Sequence, residues 1–402
     1  MQGGNKMKIT EVKPILANRF LFVQITTDEG IVGVGESGAW AFQDSAKEAI
    51  NTFALYLEGK DPLTIEHHWQ YMYRSFHFRG AAIMGAISAI DIALWDIAGK
   101  YYGCPVYQLL GGKVRDKARV YYHVGGNDID SMVKNLKEAK AKGFTAVGHL
   151  SPFLDEPRTQ VYNEVSFAKK IENAIARVAV YREAVGNDVD LCVEIHRQLN
   201  IPEAIAFAHG IEEFHPFFLE DPTTPDNFDS MIGIASRVNI PVATGERYHT
   251  PQEFAMLMKH DGAQYVRPDI CLCGGITGGK KIAAMAEANG VMVVPHNPLS
   301  PVSTAACIQI AAIAPNFALQ EFPGDDRPST TDHFSAIMNK NKDNFHQGDV
   351  VKETIKYADG YLEIPTKPGI GVELVHNVDT LYPYKRRGVL TRVGVDGAVV
   401  DQ

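Results

Sequence analysis

Val193-Glu194-Ile195-His196, Phe218-Leu219-Glu220-Asp221-Pro222 and Ala243-Thr244-Gly245-Glu246-Arg247 are the stretches that decide the fold of this 402-residue chain. Each is a short apolar, β-like run that stops at a carboxylate. Downstream the pattern goes on in Val266-Arg267-Pro268-Asp269, Val293-Val294-Pro295-His296 and Leu319-Gln320-Glu321-Phe322. The residues Glu194, Glu220, Glu246, Asp269, His296 and Glu321 stand 26, 26, 23, 27 and 25 positions apart. A parallel strand, its covering helix and two short loops need about that length. Two earlier runs, ending near His123 and Leu150, bring the count to eight. Eight such units predict a TIM-type (β/α)-barrel, whose active sites lie at the C-terminal strand ends. A doubly wound sheet has fewer strands and a Gly-rich first turn.

One interval breaks the rhythm. From Gly148 to Glu194 is 46 residues, and the excess includes the polar, turn-rich stretch 151–164. A long loop on the catalytic face is a candidate lid. Before residue 117 the character differs. The β-rich runs 20–26 and 31–34, joined by Thr27-Asp28-Glu29-Gly30, predict a hairpin, and helical patterns follow at 45–57 and 83–101. The division expected is an α+β domain over 7–116 and an α/β barrel over 117–321. The segment 322–402 should return to the first domain through the strand-like stretch 360–374.

Composition narrows the function classes. A net charge of −9 with no Lys/Arg-rich stripe argues against nucleic acid. Residues 1–7 lack the apolar core of a signal peptide, no apolar run is expected to approach membrane-spanning length, and Met7 reads as a natural start. The five cysteines are too few for a disulfide framework, and Cys271-x-Cys273 is too tightly spaced for a zinc clip. Reduced thiols in a cytoplasmic protein are expected. Gly33-Val34-Gly35-Glu36-Ser37-Gly38 matches the dinucleotide fingerprint, but it follows a hairpin and opens no βαβ unit.

The chemistry lies at the strand ends. Neighbouring strands of a barrel are about 5 Å apart, so Glu194, Glu220 and Glu246 converge, and their repulsion demands a cation. Oxygen-only ligands favour Mg²⁺. His196, two residues after Glu194, can share its face, and Asp269 is placed to hold the tautomer of His296. Both histidines read as catalytic.

These residues resemble the mandelate racemase branch of the enolase superfamily, and within it the acid-sugar dehydratases, the galactonate dehydratases most closely. The likeness spans nearly the whole chain. Ala93-Leu94-Trp95-Asp96-Ile97-Ala98-Gly99-Lys100 and Leu109-Leu110-Gly111-Gly112 resemble the branch's signature helix and the approach to its barrel. The runs ending in Glu220, Glu246, Asp269 and His296 resemble its metal and dyad strands. The resemblance implies Mg²⁺ on Glu194, Glu220 and Glu246, with His296, paired to Asp269, as general base. It implies His196 as the acid that protonates a departing 3-hydroxyl, and Glu321 bonding the substrate carboxylate. It also implies a first domain that caps the barrel and reads the distal end of the substrate through the loop 17–20 and Phe76-His77-Phe78-Arg79. Trp40, Arg79, His149, Tyr162 and Arg247 are the candidates for substrate contact. A small acid sugar is the expected partner and a homo-oligomer the expected assembly.

Two positions depart from that pattern. Glu194 stands where the branch usually has Asp, and Gly148 where galactonate dehydratases have Lys. Mannonate dehydratases also lack the Lys and use a Tyr from the loop after strand two, where Tyr162 lies. With no side chain on Gly148, and His149 turned away by strand alternation, one base is expected and no inversion at C2. The activity expected is dehydration of an aldonate to a 2-keto-3-deoxy acid. An epimerase or cycloisomerase of the same branch, and a non-catalytic sugar-acid binder, are the rivals.

Overall fold

Ile9, Val12, Ile15 and Ala17 are the buried residues of β1 (Ile9–Ala17), which pairs antiparallel with β2 (Phe20–Thr27), and β2 with β3 (Val32–Glu36). The computed structural model describes residues 6–126, 128–153, 166–325, 345–386, 392–394 and 396–401. The helices α1 (Gln43–Leu57), α2 (Ile65–Arg74) and α3 (Ala81–Tyr101) cover the meander, and α4 (Val106–Leu109) leads out of it. The helix α3 corrects the reading that no apolar run reaches membrane length. Its 21 residues are long and apolar enough to cross a bilayer, with a mean hydropathy of 1.7 over an 18-residue window. Its length serves packing instead, since almost every residue from Met84 to Gly99 is buried.

The barrel follows. Its strands are β4 (Lys117–His123), β5 (Ala146–Leu150), β6 (Asp190–Glu194), β7 (Phe218–Glu220), β8 (Val242–Thr244), β9 (Tyr265–Val266), β10 (Met292–Val293) and β11 (Gln320–Phe322). Neighbours pair in parallel from β4 to β10. The ring closes through β11 on β4 and a bridge between Val293 and Phe317. Strands β7 and β8 are buried throughout, as parallel strands covered on both faces require.

Between them run α5 (Ile129–Ala141), α6 (Phe167–Val185), α7 (Ile201–Ile211), α8 (Phe228–Ala235), α9 (Pro251–Met258), α10 (Gly275–Ala288) and α11 (Pro301–Ile313). Local sequence starts these helices. Asn200 and Glu203 form a reciprocal capping box ahead of α7, as do Thr250 and Glu253 ahead of α9, each with a Pro in the first turn. The helix α10 also packs on α3, so the two domains share apolar surface.

The C-terminal segment splits its contacts. A hairpin of β12 (Tyr357–Ala358) and β13 (Tyr361–Glu363) extends the barrel sheet, with Leu362 opposite Ala118 of β4. Further on it returns to the first domain, where Ile370 N–H donates to Asp96 Oδ1 at 2.9 Å and Pro383 bridges Ala17. A last ribbon, β14 (Arg392–Val393) with β15 (Val399–Val400), brings Asp401 over the barrel mouth. All five cysteines are free thiols, and Cys192, Cys271, Cys273 and Cys307 are buried.

Candidate active site

Pairing register puts Glu194 beside Glu220, and Glu220 beside Ala243 in the middle of β8. Glu246 reaches the same spot because Gly245 turns the chain at φ 137°, where a Cβ would meet the Phe254 ring at 2.6 Å. Only glycine takes that backbone without strain. One oxygen from each of the three carboxylates lies within 4.8 Å of the others. Each carboxylate also has a cationic or imidazole neighbour. His149 Nδ1 is 2.5 Å from Glu194 Oε2, Arg267 pairs with Glu220, and Arg197 pairs with Glu246 and, at 3.1 Å, with Asp221. The balance differs along the row. Burial opposes charge on Glu194, but His149 and His196 outweigh it and hold that carboxyl well below its usual range. Burial, reinforced by Glu194 and Glu246, pushes Glu220 up in spite of Arg267. Oxygen donors this close, with one driven toward protonation, fit a hard divalent cation.

At one end of the row stands His296. Its Nδ1 is 2.9 Å from Asp269 Oδ2 and its Nε2 is 3.3 Å from Glu246 Oε2. Burial would lower its pKa, but Glu321, Glu246 and Asp269 raise it to about 9. Asp269 is fixed in turn by the backbone N–H of Cys271 at 2.8 Å. His196 Nε2 lies 3.7 Å from Glu194 Oε1. Glu321 accepts from Asn297 N–H at 2.8 Å, from His123 Nε2 at 2.6 Å and from Arg267. Burial opposes its charge, but Arg267, His296 and His123 hold it well below the carboxylate range. Glu321 orders the donors around it and lines the cavity.

His149 departs from expectation. Its φ of 58° breaks the alternation of β5, where pairing to β6 is irregular between Val147 and Leu150. The imidazole therefore turns onto Glu194 and stacks on His123, ring centroids 5.0 Å apart. Gly148 faces the barrel interior, where its missing Cβ makes room for Tyr121. The premise that strand two offers no imidazole to the site is thus corrected.

A cavity of about 580 Å³ joins these groups to the capping domain. Trp40 and Arg19 line it from that domain, with the Arg19 guanidinium 5.5 Å from the Trp40 ring. Arg247 lines its rim. Arg79 does not line it: that side chain is exposed and lies 4.0 Å over the Tyr73 ring. Phe76 and Phe78 also point to solvent. Tyr162 and most of the 151–164 stretch lie outside the described residues. Sequence reasoning missed Arg197, Arg267, His123 and Asp401. An Arg in the apolar run Tyr265-Val266-Arg267 was a legible signal, because a buried charge needs partners. Arg197 carried none, since it shares the site with His196 only because both have positive φ, 67° and 54°.

Fold and site together define a two-domain enzyme that holds a carboxylate row beside an Asp–His pair, and the comparisons agree. Residues 6–111 match the mandelate racemase / muconate lactonizing enzyme N-terminal domain, and residues 131–378 the enolase C-terminal domain-like family. The chain belongs to the enolase superfamily, in its mandelate racemase and muconate lactonizing branch. It is 37% identical over 371 residues to a D-galactonate dehydratase of Xanthomonas euvesicatoria pv. vesicatoria, covering 92% of each chain. A D-galactonate dehydratase of Ralstonia nicotianae is 36% identical over 379 residues, again 92% of each. Among solved structures, an enolase-superfamily member from Salmonella Typhimurium superposes with a TM-score of 0.83 at 31% identity, covering 94% of this chain and 98% of that one. An Agrobacterium radiobacter enolase with bound Na and L-malate has a TM-score of 0.86 at 27% identity, covering 98% and 99%. The chain is an acid-sugar dehydratase, a carbon–oxygen lyase.

Proposed function

We propose that the substrate is an aldonate of the galactonate, gluconate or mannonate type and that the cation is Mg²⁺. The observation that carries this reading is the row Glu194, Glu220 and Glu246 with His296 at one end and His196 beside the other, in one cavity. A Mg²⁺ ion held by the three carboxylates would offset the negative field on His296 and stabilise the charge that develops on the substrate carboxylate as C2 loses its proton.

The chain's own groups do the rest. Asp269 holds His296 through Nδ1 and leaves Nε2 to take the C2 proton. The C2–H electron pair is first taken up by the substrate carboxylate, and in a second step it returns to form the C2–C3 double bond as the C3–O bond breaks. His196 gives its proton to the departing oxygen, which leaves as water, and the resulting enol tautomerises to the 2-keto-3-deoxy acid. Arg267 bridges Glu220 and Glu321 and so couples the carboxylate row to the Glu321 side of the cavity. The assembly is proposed to be a homo-oligomer.

The test is turnover with Mg²⁺ against a panel of aldonic and aldaric acids, followed as 2-keto-3-deoxy acid formed. Dehydration of at least one aldonate is expected. Failure on the whole panel overturns the reading.

A further inference from the structure

At the rim of the cavity the ribbon β14–β15 brings one carboxylate onto two guanidiniums. Asp401 Oδ2 is 3.2 Å from Arg247 Nη1, and Asp401 Oδ1 is 3.7 Å from Arg197 Nε. Gln198 Nε2 donates to the Asp401 carbonyl at 3.1 Å, so the backbone is tied as well as the side chain. Asp401 itself lines the cavity. Arg197 already serves Glu246 and Asp221, whereas Arg247 stands on the open rim, 39% exposed.

The formal charges of the lining limit what else can bind. Arg19, Arg197, Arg247 and Arg267 face Glu194, Glu220, Glu246, Asp269, Glu321 and Asp401. Counted with its histidines neutral, the lining carries four positive charges against six negative ones, which a divalent cation brings to balance. A monocarboxylic acid sugar brings one anion, and the carboxylate row with its cation is where that anion goes. An aldaric acid brings a second anion at its far end. The rim guanidiniums are the groups that would receive it, and Asp401 stands on them.

We propose that Asp401 is a specificity-determining residue: it occupies, on Arg247 and Arg197, the place where the distal carboxylate of an aldaric acid would bind, and so restricts the site to monocarboxylic acid sugars. Its oxygens then accept from a distal hydroxyl of the aldonate. The inference rests on the acid-sugar reading above and deepens it.

The experiment uses the full chain with Mg²⁺ and two matched probe pairs, galactonate with galactarate and gluconate with glucarate. Dissociation constants are measured by calorimetry and kcat/KM by product formation, for the wild type, Asp401→Asn and Asp401→Glu. The wild type should bind the monoacid more tightly than its diacid. In Asp401→Asn the preference should shift toward the diacid by about tenfold or more, the size of one screened charge pair at 4 Å. Asp401→Glu should keep the wild-type preference. An unshifted ratio in Asp401→Asn overturns the proposal, as does a wild type that binds diacids as tightly as monoacids, which would make the ribbon a displaceable strap. Aldonate turnover with an unmoved ratio removes this inference and leaves the dehydratase reading standing. A shifted binding ratio without turnover does the reverse. Failure of every probe to bind overturns both.

Discussion

His296 and His149 stand at opposite ends of the same carboxylate row and reach it by different routes. His296 follows β10, bridged to Asp269, and its ring has one nitrogen on that carboxylate and the other toward Glu246. His149 sits where β5 breaks step, and its Nδ1 is taken up by Glu194. One imidazole is held by a partner outside the row and presents a nitrogen to the reaction; the other is itself the partner that holds the row. A histidine near a metal site is therefore assigned by what its second nitrogen touches, not by proximity.

The strongest test breaks the row that both histidines serve. Glu220→Gln should abolish turnover, and so should excess chelator, because two carboxylates hold a hard cation poorly. Full activity in chelator would remove the metal from the reading.

Next in size is the base itself. His296→Asn should stop exchange of the C2 proton with solvent deuterium, a loss of about 10³-fold or more. His196→Asn should leave exchange in place and block dehydration, since the two act in separate steps. NMR in deuterated buffer reads both, and exchanged behaviours would reverse the assignments.

His149 is expected to matter less and differently. His149→Asn should weaken metal binding and lower kcat/KM about 10- to 100-fold, the usual cost of losing a partner that orients a ligand, while proton exchange persists at saturating Mg²⁺. Because His149 is occupied by Glu194, only one C2 epimer should turn over. Comparable turnover of both epimers, or recovery of inverted substrate, would make His149 a second base and erase the contrast.

Two smaller effects probe what lies behind each histidine. Behind strand two, Gly148→Ala would place a Cβ 2.2 Å from the Tyr121 ring, so unfolding should become easier by about 1–3 kcal/mol, read from denaturant midpoints. Behind His296 and Asp269 lies Glu36, whose pKa burial raises to about 8 although Ser300 and Ser303 donate to it. The folded state therefore keeps a proton that the unfolded chain releases near 4.5. Stability should be full below that pH, fall as pH rises toward 8, and level off above. Glu36→Gln should flatten the slope, measured as Tm against pH.

Much of this could be read without coordinates, and the residues show why. The eightfold rhythm was legible because strand–helix units repeat at nearly constant length. Glu194 and Glu220 close their strands, and Glu246, Asp269 and His296 follow theirs within three residues, so each was legible from the apolar run before it. What local pattern implies fails where the backbone leaves its regular geometry. Alternation predicted His149 outward, and a positive φ turned it inward; past the end of β6, positive φ also brings Arg197 into the site beside His196. Arg79, placed in the substrate path by its segment, lies instead on Tyr73.

The sequence by itself determined the barrel, the capping domain, the carboxylate row and the Asp269–His296 pair, because spacing and strand ends are local and periodic. Tertiary structure alone decided that His149 holds Glu194, that Arg267 bridges Glu220 and Glu321, and that Asp401 arrives on Arg197 and Arg247. Asp401 lies 204 positions from Arg197 along the chain and meets it in space. Which distant segments meet, and which residues take a left-handed backbone to face a site, is set by the packing of the whole chain, and no short window of residues contains it.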